Sequence, residues 1–520
     1  VFGLFRGFRH LARLISIWLI LARHDALAPL AEVTGWNVLA SGGRLLRRGA
    51  GRGGRPGERL AAALVELGPS FVKLGQLLAT RADLLGEEIA EDLAQLQDRL
   101  APFPAAQARA LIEAEFDRPL AALFTAFADV PVAAASIAQV HFAVTADGGE
   151  VAVKILRPGI ARAFRRDLDL FRWLAGVIAR TQPALRRLKP VEVVETLEQS
   201  VQMEMDLRFE AAAASELAEN FAGDPSFRVP RVDWSRTGRN VLTTERVAGI
   251  RIDDRAALIA AGHSIQNLLR NAAATFFKQV FRDGFFHADQ HPGNLFVQAD
   301  GRLAAVDFGI MGRLDRATRY YLADMLTGFL TGDYRQVAEV HFAAGYVPRR
   351  RSVDAFTQAC RSIGEPILGR PLHEISLARL LAQLFQVTEQ FEMETQPQLL
   401  LLQKTMVVVE GIGRRLDPSV NIWGMAQPLV EEWVRENRGP EARVRERIDV
   451  VLTALDELPR LLRNLDKMVG DWANEGVILH AESLAEQAAH RSRQLPLLVI
   501  PLWIAAAALV AIAAALMVLR

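Results

Sequence analysis

At 520 residues the chain is too long for one compact domain and, at about 150 residues per unit, reads as roughly two to four of them. Its 51% apolar and 23% charged residues can bury a large core, which excludes wholesale disorder, a collagen-like repeat and a disulfide scaffold. The 61 basic and 60 acidic residues nearly cancel at +1, so nothing in the balance points to a nucleic-acid partner; the single cysteine, Cys360, fits a reducing compartment and a small buried apolar role.

In chain order, Leu11 to Ala22 is apolar but too short to span a bilayer and predicts an amphipathic helix resting on a membrane or on the protein's own body. Residues 41–59, rich in glycine and arginine, read as a flexible linker closing segment 1–59. From Leu60 the apolar spacing is helical, punctuated by Gly68, Pro69 and Gly86, giving a helical extension over 60–115. Residues 116–248 change to a small mixed lobe. A TADGGE turn between two apolar runs predicts a β-hairpin, residues 190–222 predict one long helical stretch, and FRVPRVDW and NVLTTERVAG predict two further strands. Beyond Gly249 the pattern is helical through 249–430 and 431–494, save for the segment 285–312. Leu495 to Leu519 carries no charge, and its 25 residues would extend about 37 Å as a helix, enough for one membrane crossing. His490, Arg491 and Arg493 just before it would keep the body of the chain cytoplasmic, with a single C-terminal anchor.

The chemistry concentrates in 285–312. His287, Asp289 and Asn294 lie on a loop leading into an apolar run, and Asp307, Phe308 and Gly309 follow a second one. Asp289 is placed to orient a hydroxyl or water, while Asp307 and Asn294 offer two oxygen ligands for Mg²⁺ bridging nucleotide phosphates. A kinase-like site further needs a strand lysine, which the VAVK run supplies as Lys154, and a helical glutamate, for which Glu204, Asp206 and Glu210 are candidates. On one continuous helix Asp206 and Glu210 share a face and Glu204 is rotated away. Thr244 to Val247, with Glu245 between them, is placed to connect two lobes and pair its backbone with adenine. Where a protein kinase covers its phosphates with GxGxxG, this chain has Ala133, Ala134, Ala135, Ser136, Ile137 and Ala138, whose Cβ atoms restrict backbone approach. Ala288 stands where HRD has its arginine, a helix begins soon after Gly309, and no APE follows, which argues against a peptide-docking platform.

With these residues the chain resembles the UbiB family of atypical protein-kinase-like proteins of ubiquinone biosynthesis, over about residues 60–430. The specific marker is Lys73, Gly75 and Gln76 in FVKLGQLLATRADLL, which match the family's KxGQ motif; AAASIAQV matches its alanine-rich loop. The resemblance implies an α+β, bilobal protein-kinase-like fold in which Lys73, Gly75 and Gln76 gate the nucleotide site and pair with an ExD motif, here Glu204 and Asp206. It makes Glu210 the partner of Lys154, Asp289 the catalytic-loop aspartate, and Asn294 and Asp307 the Mg²⁺ ligands. The implied activity is Mg²⁺-dependent ATP binding with slow hydrolysis, or transfer to a small or lipid-like acceptor. Membrane lipid, prenylated quinone precursors and other ubiquinone-biosynthesis proteins are the implied partners, at a bacterial-type inner membrane. A protein kinase, a small-molecule kinase and a non-catalytic nucleotide-sensing scaffold remain open alternatives.

Overall fold

The computed structural model describes residues 2–27, 54–79, 87–94, 96, 101–181, 190–366, 387, 388, 390–393, 396–418, 428, 429, 432, 433, 435 and 436. Among them no helix is long and apolar enough to cross a membrane; Leu495–Leu519 lies outside the described residues.

Among the described residues the chain opens with helices α1 (Phe2–Arg23), α2 (Pro56–Leu67), α3 (Pro69–Ala79) and α4 (Glu87–Ala94). Helix α1 is longer than its apolar stretch and rests on the protein itself. Arg13 donates to both carboxylate oxygens of Asp167 (3.1 and 3.2 Å) and to Leu67 O (3.1 Å), and its guanidinium lies over the Phe71 ring. Helix α2 begins at Pro56, inside the stretch expected to be linker. Proline costs nothing in a first turn, where its missing N–H has no intrahelical partner. Gly57 lets α2 approach α4, since a Cβ there would fall 2.5 Å from Asp92 Cβ.

Helices α5 (Ala105–Phe116) and α6 (Leu120–Leu123) lead into strands β1 (Phe124–Phe127), β2 (Ala133–Ala134), β3 (Ala138–Thr145) and β4 (Glu150–Leu156). Then come α7 (Ile160–Thr181), α8 (Pro190–Glu204), α9 (Leu207–Asn220), β5 (Phe227–Arg228), β6 (Val241–Glu245) and β7 (Ile250–Arg251). The first sheet is antiparallel in the order β1-β3-β4-β6, with β2 on β3. The expected hairpin is β3–β4, its turn closing through Gly148 at φ +88°. Alternation along β4 buries Val151, Val153 and Ile155 with Ala108 and Ile112 of α5, which leaves Ala152 and Lys154 on the other face.

Two expectations need correction. Residues 190–222 are not one helix: Asp206 is extended (φ −135°, ψ 96°) and its carboxylate accepts from Arg208 N, so it ends α8 and caps α9. Aspartate favours that position because its oxygen satisfies an otherwise unpaired N–H. FRVPRVDW, expected as a full strand, holds only the two-residue β5. Its strand β5 runs parallel to β10 in a second sheet, while Val232 bridges back to Thr244 of β6.

The remaining elements are α10 (Arg255–Ala260), α11 (Ile265–Phe277), β8 (Phe285–His287), β9 (Leu295–Val297), β10 (Leu303–Ala305), β11 (Met311–Arg313), α12 (Arg316–Thr331), α13 (Tyr334–Ala343), α14 (Val353–Gly364) and α15 (Pro397–Leu416). The second sheet has the order β5-β10-β9-β7, and β8 pairs with β11. Helix α11 runs on into a π-helical stretch, Lys278–Asp283, stopped by Gly284 at φ +64°. Cys360 is buried in a satellite cluster with Tyr334, Val337 and Phe356, where desolvation pushes its thiol up to about 12.

Candidate functional site

The face of β4 that carries Lys154 looks toward α9 and the loop after β10. Lys154 Nζ donates to Glu210 Oε1 (2.8 Å) and Oε2 (2.9 Å), and also to Asp307 Oδ1 (3.0 Å). Strand lysine, helix glutamate and loop aspartate therefore meet at one ammonium group. Glu210 is buried, Lys154 nearly so, and Asp307 is 48% exposed. Desolvation works against the Lys154 charge, but Asp307 and Glu210 outweigh it and hold the ammonium above its ordinary range. Burial pushes the Glu210 carboxyl up to about 7, with Lys154 pulling it back and Asp307 adding to the rise. Desolvation also acts upward on Asp307, yet Lys154 beside it keeps it below the usual carboxylate range.

Asp307 adopts φ +64°, a left-handed conformation that a short polar side chain tolerates, and Gly309 N lies 3.4 Å from its Oδ1. A Cβ on Gly309 would fall 3.3 Å from the same oxygen. Phe308 is buried in the second-sheet core and meets the His287 ring edge-on. His287 is buried, and desolvation lowers its pKa. Its Nδ1 accepts from Asp289 N (3.2 Å) while its Nε2 lies 3.3 Å from Val306 O, so a neutral imidazole ties the two acidic loops together.

Asn294 Nδ2 donates to Asp289 O (3.1 Å), and the Asn294 backbone carbonyl accepts from Val306 N (2.9 Å). With the amide nitrogen engaged, Oδ1 remains as the side chain's acceptor. The Asp307 carboxylate and the Asn294 amide oxygen are hard donors of the kind Mg²⁺ takes in ones and twos beside phosphate and water. Among the described residues no group of three or more His, Cys, Asp or Glu forms a metal cage.

The alanine-rich segment divides. Ala133 and Ala134 form β2, Ala135 N donates to Ala138 O (2.8 Å), and the side chains of Ile137 and Ala138 pack into the core with Leu64 and Leu156. The Ser136 hydroxyl is buried and, among the described residues, has no hydrogen-bond partner. Two anchors that sequence reasoning missed fix this turn. Arg157 donates from Nε to Ala135 O (2.9 Å) and from its backbone to Ile137 O (2.8 Å). Gln139 bonds both backbone groups of Phe103 and donates to His141 Nε2 (2.8 Å), whose Nδ1 reaches Ala128 O (2.7 Å). In the sequence Gln139 shows only as one polar residue among the apolar ones of β3, and Arg157 carries no signal.

In the connector, Glu245 N already donates to Arg231 O (2.8 Å) and the Glu245 carboxylate pairs with Arg228. Its backbone donor is therefore not open to adenine as expected; Val247, half-buried just beyond, begins the passage to β7.

On α3, Lys73 is buried and its Nζ lies 2.8 Å from Glu204 Oε1 at the end of α8. Gly75 is explained by packing, since a Cβ there would fall 2.6 Å from Leu96 Cδ1 and 2.7 Å from Leu64 Cδ1. Gln76 is half-buried on the same helix. Asp206, instead of joining Lys73, is held by Arg208 through two side-chain bonds (2.9 and 2.6 Å), and these lower its pKa. Helix α15 adds another missed residue: Lys404 Nζ lies 3.0 Å from Asp289 Oδ1.

This fold, with its strand lysine, helix glutamate and paired acidic loops, is that of a protein-kinase-like protein. Residues 95–341 match the model of the ABC1 atypical kinase-like domain, and 360–421 that of the UbiB helical domain. A protein of Marinobacter nauticus named "Probable protein kinase UbiB" is 46% identical over 409 residues, 78% of this chain and 75% of its own length. One of the same name from Xanthomonas euvesicatoria pv. vesicatoria is 43% identical over 443 residues, 82% of this chain and 80% of its own. A solved structure titled as the Rv3197–erythromycin complex of Mycobacterium tuberculosis overlaps with a TM-score of 0.48 at 27% identity, covering 66% of this chain and 87% of that one. The chain belongs to the UbiB family.

Proposed function

We propose that the chain binds Mg-ATP and hydrolyses it slowly, as an atypical kinase or ATPase serving ubiquinone biosynthesis. The observation that carries this reading is the convergence of Glu210 and Asp307 on Lys154. In that arrangement Lys154 holds nucleotide phosphates, Glu210 orients Lys154, and Asp289 orients the attacking water or acceptor hydroxyl. Asn294 and Asp307 would hold Mg²⁺, which when bound neutralises phosphate charge. The pinned turn at Ala135 and Ser136 would cover the phosphates, and the backbone near Val247 would face adenine. Lys73 and Gln76, with Glu204, would keep bulky acceptors out.

Only residues 310–315 separate Gly309 from α12, which leaves little chain to dock a peptide and favours hydrolysis or a small acceptor over protein phosphorylation. Anchoring by Leu495–Leu519 at a bacterial-type inner membrane, with the site on the cytoplasmic side, would bring it to prenylated intermediates in the lipid. ATP turnover by wild type, Asp307→Asn and Lys73→Ala, with and without liposomes carrying a phenolic quinone precursor, tests the reading. We expect Mg²⁺-dependent turnover stimulated by the loaded liposomes in wild type and lost in Asp307→Asn. Turnover indifferent to lipid would remove the membrane role, and efficient phosphorylation of added peptides would overturn the choice of acceptor.

A further inference from the structure

Residues 288–294, the loop bearing Asp289, contain no lysine or arginine, and the Nδ1 atoms of His287 and His291 accept from Asp289 N (3.2 Å) and Gly293 N (3.0 Å). The cation at Asp289 comes from a different part of the chain, 115 residues on, where Lys404 of α15 places Nζ 3.0 Å from Oδ1. Side-chain exposures of 48% for Lys404 and 37% for Asp289 leave both open to solvent. A pair so exposed adds little to stability. Helix α15 is held instead by its apolar side, through Leu402, Val409, Ile412 and Leu416. Lys404 also lies in the stretch matched by the UbiB helical domain, while Asp289, Asn294 and Asp307 lie in the kinase-like one.

We propose that Lys404 is a further residue of the phosphoryl site, through which the helical region completes a centre the kinase-like region builds without a loop cation. The proposal rests on the Mg-ATP reading above. In the nucleotide-free protein Lys404 neutralises Asp289; with ATP bound its ammonium turns to the terminal phosphoryl oxygens. As water oxygen bonds to the terminal phosphorus, the bond to the bridging oxygen breaks. The electron pair of that bond stays on the nucleoside diphosphate, and a proton from the water passes to Asp289. Lys404 makes and breaks no covalent bond; it offsets charge on the oxygens being transferred.

Because Lys404 addresses the terminal phosphate, it should distinguish ATP from ADP, which a purely structural residue would not do. The test titrates Mg-ATP and Mg-ADP into the full chain by calorimetry and measures ATP turnover for wild type, Lys404→Met and Lys404→Cys before and after aminoethylation. Cys360 is buried, so alkylation falls on the introduced thiol. We expect Lys404→Met to weaken ATP about 5- to 10-fold with ADP unchanged, and to slow turnover about 100-fold. Aminoethylation of Lys404→Cys should restore both. Unchanged ATP affinity and turnover would overturn the proposal, as would equal losses for ATP and ADP together with a lower melting temperature. A wild type that binds neither nucleotide would instead overturn the Mg-ATP reading, and the role of Lys404 with it.

Discussion

Two lysine–glutamate pairs in this molecule share a separation of 2.8 Å and nearly the same burial, and differ in what lies beside them. Lys73 and Glu204 join α3 to α8 and are enclosed, with side-chain exposures of only 10% and 9%. Lys154 and Glu210 are also tightly bonded, but Lys154 has a second carboxylate partner in Asp307, which is half open to solvent. The enclosed pair cannot rearrange without exposing a charge to the core, so it acts as a lock between helices. The second can trade one carboxylate for a ligand, because solvent already reaches one of its members. Ion-pair distance therefore says little about role; the openness of the least buried partner says more.

The largest expected effect breaks the lock. Lys73→Ala removes the cation beside the enclosed Glu204 carboxylate, which keeps the Ser200 hydroxyl at 3.3 Å, and should cost about 3–5 kcal/mol in urea denaturation, most of it recovered when Lys73→Met is combined with Glu204→Leu. A loss below about 1 kcal/mol would mean that the pair is solvated after all. Next, Asp307→Asn should weaken Mg-nucleotide affinity about 100-fold, or ~2.7 kcal/mol, with thermal stability nearly unchanged, as calorimetry and thermal melting can show. Gly75→Ala sharpens the packing side of the comparison. Its Cβ would clash with Leu64 and Leu96, so about 1–3 kcal/mol of stability should be lost even though both ion pairs are intact.

A pH dependence bears on the second pair. With Glu210 raised from its ordinary 4.5 to about 7, the folded state binds a proton more tightly than the unfolded chain. Its contribution to stability is therefore full below about pH 4.5 and fades as the pH rises through about 7. Glu210→Gln should remove that slope, and urea midpoints across the window would show whether it does.

Contiguous motifs were legible: the apolar VAVK run after the TADGGE turn places Lys154 on a hairpin strand, and Asp307 comes two residues after its strand. The helix break at Asp206 had a signal, an aspartate just ahead of a fresh helical run, but the dense Glu and Ala pattern on both sides masked it. Arg157, Gln139 and Lys404 were not legible. Each acts on a partner fixed by tertiary packing, and a lone arginine, glutamine or lysine at such a position looks like any solvated side chain. The membership of β5 in the second sheet was hidden too, since a two-residue strand has too little pattern to choose its neighbour.

That short strand has a mechanical consequence. After β4 the chain goes to the second sheet at β5, returns to the first at β6, and leaves again for the second at β7. Two bodies joined by one thread can swivel about it freely; stitched through at separate points, they are left with a single axis. Any separation of the two sheets around Lys154 should resemble the opening of a book along its spine, with twisting suppressed.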